Sequence, residues 1–140
     1  MEIDEEQKKK IVEIMREEKA ALGYLFGSVA RGTAGPLSDI DVAVAFPFSF
    51  GEEERFKRIE KIRGSVEHIY GIDKVDVVDL NKLRNPALMH EIVLDEGALL
   101  FNDDQNLKNY LSLKALRDFE DTQPIRNIQS VALKEMFNVN

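Results

Sequence analysis

The chain of 140 residues contains no cysteine, no tryptophan and only four prolines. Without thiols it can form neither a disulfide nor a thiolate zinc site, which suits a reducing compartment, and cytoplasmic residence is expected. Nor does any window approach the roughly 18 consecutive apolar residues that a membrane span requires. The first ten residues, MEIDEEQKKK, are polar and of mixed charge rather than basic then apolar, unlike a secretory leader. Positive charge is also short: 19 Lys and Arg face 26 Asp and Glu, a net charge of −7. Such a chain repels a phosphate backbone at long range, so nucleic acid is not expected as a direct partner. Repeats, low-complexity tracts and Gly/Ser or Pro-rich linkers are missing too, and the length fits one domain.

What is present is an alternation of helical and strand patterns. Asp4 and Gln7 have the spacing of a capping box, and Ile11, Ile14 and Met15 give the stripe of an amphipathic helix over about 5–20. ALGYLF (21–26) reads as a buried strand, GSVARGTAGPLS as a turn with one helical turn after Gly27, and DIDVAVAF as a second strand. Phe56, Ile59, Ile62 and Val66 predict a helix from Glu52 to Tyr70 closed by Gly71, followed by a third strand in DKVDVVDL. Asn85-Pro86 opens a helix over 86–96 that leaves at Gly97, ALLF is a short fourth strand, and a last helix carries Leu107, Leu111 and Leu116 to about Asp121. The order αββαβαβα implies an α/β or α+β fold, a small mixed sheet flanked by helices. Pro124 separates residues 1–122, the domain, from a tail of 123–140 whose apolar residues Ile128, Val131 and Phe137 have helical spacing. With too little chain to bury them alone, the tail is expected to dock on a partner or a second copy.

One stretch carries chemistry. On a strand, Asp39 and Asp41 project to one side while Ile40, Val42 and Val44 project to the other. Two adjacent carboxylates raise each other's cost of ionisation unless a cation sits between them, and hard oxygen ligands of this type suit Mg²⁺. The bland alternative is a strand entry at which Ser38 or Asp39 caps a turn. Upstream, Gly27-Ser28 follows directly on an apolar strand. A glycine there permits close backbone approach, and free N–H groups with a hydroxyl make an anion site suited to phosphate. A phosphate cradle beside a metal pair describes a nucleoside triphosphate site.

Gly27-Ser28, ten intervening residues and then Asp39-Ile40-Asp41 resemble the signature of the minimal nucleotidyltransferases of the DNA polymerase β-like superfamily, and GSVARG matches its MNT-domain members closely. KVDVVDL and NPALMHEIVLDEGALLF also look like this family. The resemblance implies a third carboxylate on a neighbouring strand. Asp76, flanked by valines in mid-strand, is the expected one, because a carboxylate there is costly unless coordinated. Asp73 and Asp79 lie at strand ends, where a solvated boundary accounts for them. The implied mechanism has two Mg²⁺ ions held by Asp39, Asp41 and Asp76, with ATP as substrate. Ser28 and the backbone after Gly27 hold the β/γ-phosphates, and Gly32 keeps the turn close. Arg31 either adds charge to the phosphates or pairs with a surface carboxylate.

Among the family's functions, a bare catalytic domain with a short tail looks like the antitoxin of HEPN/MNT toxin–antitoxin pairs. The implied activity is transfer of AMP to a tyrosine of a HEPN ribonuclease toxin, in a hetero-oligomer, or in a homodimer when alone. Two alternatives stand beside it: a binding module that silences the toxin by covering it, and a nucleotidyltransferase for a small molecule such as an antibiotic. His68 and His90 are expected at ordinary helix positions, and GEEERFKRIEKIR as a solvated face with pairs such as Glu54–Arg58. Phe46, Phe48 and Phe50 are either a docking or base-stacking edge or core.

Overall fold

The computed structural model describes residues 3–27, 39–71, 74–95 and 98–121. Helix α1 (Glu5–Glu17) begins at the expected capping box: the Asp4 carboxylate accepts from the Gln7 N–H and the Gln7 side chain accepts from the Asp4 N–H. Strands β1 (Leu22–Phe26) and β2 (Ile40–Ala45) follow, then helix α2 (Glu52–Tyr70), closed by Gly71 in the left-handed conformation as the sequence predicts. Strand β3 (Val75–Asp79), helix α3 (Pro86–Val93), strand β4 (Leu99–Asn102) and helix α4 (Gln105–Asp121) complete the order αββαβαβα. The third helix is shorter than the spacing implies. It stops at Val93, with the Leu94 N–H still bonded to His90. No helix among the described residues is long and apolar enough to cross a membrane.

The strands lie in the order β3-β2-β1-β4, with β2 parallel to β3 and antiparallel to β1, and β4 antiparallel to β1. Alternation along the strands divides the apolar side chains between two layers. Leu25, Ile40, Val42, Val44 and Val75 pack with α1 and α2 through Ile11, Met15, Ile59, Ile62 and Val66. On the other face Leu22, Tyr24, Ala43 and Ala45 pack with α3 and α4 through Met89, Ile92, Leu107, Leu111 and Ala115. Gly23 lets α1 close on the sheet within the first of these layers: a Cβ there would lie 2.5 Å from both the Met15 sulfur and the Phe101 ring.

Phe56 lies on the expected helix but is 61% exposed, and with Ile59 and Val77 it lines an open groove of about 660 Å³ beside the edge strand β3. One side-chain expectation needs correcting. Asp79 is not a solvated strand end. Its side chain is 8% exposed and pairs with Arg55, itself 12% exposed, at 2.9 Å, while its second oxygen accepts from the Asn81 N–H. The phenylalanines after β2 divide: Phe46 is buried, Phe50 stacks on it, and Phe48 stands out at 68% exposure. Asn81 ties this end of the sheet together, its amide accepting from the Phe46 N–H and donating to the Phe46 carbonyl. Glu54 and Arg58 pair as predicted, and His90 stacks on Phe119 between α3 and α4.

Candidate functional site

The site residues gather at one end of the sheet, on the face shared with α3 and α4. Asp41 sits on a central strand whose backbone is bonded on both sides, with Phe26 its register partner on β1 and Asp76 its partner on β3. Partners in a parallel pair present their side chains to the same face, and neighbouring strands lie about 4.8 Å apart. The β2–β3 register therefore places the carboxylates of Asp41 and Asp76 side by side. Asp41 is half-buried, held by both ladders, whereas Asp76 lies on the exposed edge strand. Asp39 stands exposed one residue before β2 begins.

This placement changes the reason for Asp76. It is the second residue of a five-residue edge strand and is exposed, so no burial cost singles it out. What singles it out is its register opposite Asp41.

Gly27 has a second role that sequence reading does not reach. The chain leaves β1 there at φ +78, a left-handed conformation that favours glycine, and a Cβ would lie 2.3 Å from an Asp41 carboxylate oxygen and 3.1 Å from its carboxyl carbon. The Asp41 carboxylate lies against the Gly27 α-carbon in the space a side chain would fill. Only a glycine lets the turn after β1 and this carboxylate share one place. The antiparallel β1–β2 register is the feature that could have foretold it, since it sets Gly27 next to the Phe26–Asp41 pair. Ser28, Arg31 and Gly32, the remaining expected phosphate-binding residues, lie outside the described residues, as do Asp73, the turn after Gly27 and the tail of 123–140.

Among the described residues no three His, Asp or Glu side chains converge closely enough to enclose a metal ion. The donor chemistry fits Mg²⁺ nonetheless, in an open form. Mg²⁺ keeps several waters and is commonly bound through one or two carboxylates together with substrate phosphates, and Asp41 with Asp76 supplies such a pair of hard oxygen ligands.

A search among curated proteins gives no match. Among solved structures, the chain is similar to a chain of a toxin–antitoxin crystallised with AMP-PNP, at 27% identity over 92% of this chain and 98% of that one, with a TM-score of 0.66. It is equally similar to a chain of a mutant MntA–HpeT toxin–antitoxin, at 26% identity, the same coverage and the same TM-score. A chain from the complex of tri-AMPylated Shewanella oneidensis HEPN toxin with MNT antitoxin shares the fold, at 24% identity, 92% and 95% coverage and a TM-score of 0.59. The family described as Polymerase beta, Nucleotidyltransferase matches residues 9–106, a span that takes in Gly27, Asp39, Asp41 and Asp76. The chain belongs to the polymerase β nucleotidyltransferase family.

Proposed function

We propose that this chain is an antitoxin of the protein-adenylyltransferase kind, which transfers AMP from ATP to a tyrosine hydroxyl of a cognate HEPN ribonuclease toxin in the cytoplasm and so silences it. The observation that carries this reading is the apposition of Asp41 and Asp76 beside Gly27. It occurs in a chain that toxin–antitoxin structures, one holding an ATP analogue, match over nearly its whole length.

In the reaction the acceptor oxygen bonds to the α-phosphorus as the bond from that phosphorus to the β-phosphate oxygen breaks. Pyrophosphate departs with the electron pair. Asp76, on the open edge of the sheet, lies where an acceptor side chain from another protein can enter, and it orients that hydroxyl and accepts its proton. Asp41, immobilised by two ladders, fixes the position of the triphosphate relative to the acceptor, as in-line displacement requires. Asp39 and Asp41 with Asp76 are the residues that would hold Mg²⁺, which when bound neutralises phosphate charge and makes the acceptor hydroxyl more acidic. The N–H groups after Gly27 and the Ser28 hydroxyl would hold the β/γ-phosphates, with Gly32 keeping the turn close and Arg31 adding charge.

The test is the intact mass of the HEPN partner after incubation with ATP, Mg²⁺ and this chain, with Asp39→Ala/Asp41→Ala as control. A gain of one or more AMP units that vanishes in the control supports the reading. No gain, with a stable complex that still inhibits the ribonuclease, replaces it with a binding module.

A further inference from the structure

The ladder between β2 and β3 begins one residue before β3 itself. The Ile40 N–H donates to the Lys74 carbonyl at 3.0 Å, which holds Lys74 in register beside Asp39, as Val75 is beside Ile40 and Asp76 beside Asp41. Ile40 and Val75 are both buried in the layer packed on α1 and α2. Alternation therefore turns Asp39, Asp41, Lys74 and Asp76 to the opposite face, where the site lies. An ammonium thus stands among the carboxylates, on the strand that carries Asp76. Lys74 is exposed and forms no ion pair among the described residues, although Asp39 is its neighbour across the strands. Other cations that flank β3 are taken: Arg55 by Asp79, Arg63 by Glu60 and Lys82 by Glu52. A lysine on an edge strand commonly just discourages pairing with another sheet. This one faces the site.

Building on the AMP-transfer reading, we propose that Lys74 is a further substrate-binding residue, whose ammonium donates to the non-bridging oxygens of the ATP α-phosphate. In-line displacement sets the α-phosphorus between its leaving group and the acceptor oxygen. Gly27 borders Asp41 on the β1 side, where the β/γ-phosphates belong, and Asp76 borders it on the β3 side, where the acceptor enters. The α-phosphate then lies over β2, between the two. Strand separation and rise put the Lys74 and Asp41 α-carbons about 8 Å apart on the diagonal. The flexible four-carbon lysine stem bridges that span and delivers a point charge. Charge is needed there, because three carboxylates and a triphosphate carry more negative charge than two Mg²⁺ ions neutralise. Lys74 stays protonated throughout; the acceptor proton goes to Asp76.

Equilibrium binding tests this without AMP transfer. Lys74→Met is expected to weaken Mg²⁺·AMP-PNP binding about tenfold by calorimetry, and to leave Mg²⁺·pyrophosphate, which fills only the β/γ positions, unchanged. Lys74→Arg keeps the charge and is expected to stay within about threefold of wild type. Lys61→Met, exposed on α2 across the sheet, is expected to bind as wild type does. In single-turnover transfer to the toxin, Lys74→Met is expected to be about 100-fold slower. Unchanged AMP-PNP affinity would overturn the proposal and leave the lysine a guard of the open edge. Equal losses for AMP-PNP and pyrophosphate would also overturn it, by moving the contact to the β/γ-phosphates. The expected binding pattern in a wild type that transfers no AMP would support the Lys74 contact and refute the transfer reading.

Discussion

Replacing Gly27 with alanine separates the two demands on that position. The first is conformational: an L-residue in the left-handed region costs about 1–2 kcal/mol. The second is steric: the new Cβ would stand 2.3 Å from an Asp41 oxygen, so to regain ordinary contact the carboxylate must swing by about 1 Å. A misplacement of that size costs about 100-fold in a reaction that depends on alignment. Gly71 provides the comparison. It too is left-handed, at φ +64, but an added Cβ there meets nothing within 4 Å. Gly71→Ala should therefore lose about 1–2 kcal/mol in urea denaturation and keep its rate of AMP transfer, with Gly27→Ala losing a similar or larger amount of stability and about 100-fold in rate. Single-turnover kinetics at saturating ATP, on protein shown to be folded by its denaturation curve, would decide. A Gly27→Ala enzyme with the wild-type rate, or equal losses of activity in both variants, would refute the assignment of Gly27 as the seat of the Asp41 carboxylate.

Asp76→Asn should lower AMP transfer at least 100-fold and change the unfolding free energy measured in urea by less than about 0.5 kcal/mol, because the side chain is exposed. Asp79→Ala should do the reverse, destabilising by about 3 kcal/mol by leaving the largely buried Arg55 guanidinium without its carboxylate, with the site at the other end of the sheet intact. The Tyr24 hydroxyl is fully buried and has no hydrogen-bond partner among the described residues, so Tyr24→Phe should hold or raise stability by about 1 kcal/mol at neutral pH. Burial pushes the Tyr24 hydroxyl up to about 12 from an ordinary 10.0. The folded state thus keeps its proton more tightly than the unfolded chain, and the contribution is complete below pH 10 and lost as pH rises from 10 to 12. Wild type should therefore lose up to about 2.7 kcal/mol more than Tyr24→Phe across that window, measured by urea titration at each pH.

Elements with strong local patterns were legible in the sequence. The capping box, the Gly71 stop and the two-residue alternation through Asp41 each depend on neighbours in the chain, and each stands where its pattern puts it. The misplacements share a different cause. The environments of Asp76 and Asp79 both depend on which strand lies at the sheet's edge, and periodicity tells which side of an element is apolar but not where the sheet stops. With β3 outermost, Asp76 is solvated, and Asp79 turns back under α2 to meet Arg55. The pairing of Gly27 with the Asp41 carboxylate was hidden for a similar reason, since it depends on the antiparallel register of β1 with β2, which no local pattern announces. Asn81, which closes the far end of the sheet with two bonds to one backbone residue, carried no sequence pattern that marked it.

The parallel pairing of β2 with β3 has a consequence for when the protein is able to work. Its two carboxylates come from strands separated by the 19-residue helix α2, and only docking of β3 brings them together. A slip of one residue would turn Asp76 to the opposite face. As an edge strand bonded on one side only, β3 is also among the elements that peel away at least free energy. A molecule that has begun to unfold at this edge therefore loses its chemistry before it loses its core, and a chain still emerging from the ribosome has none until residue 79 has been made and seated.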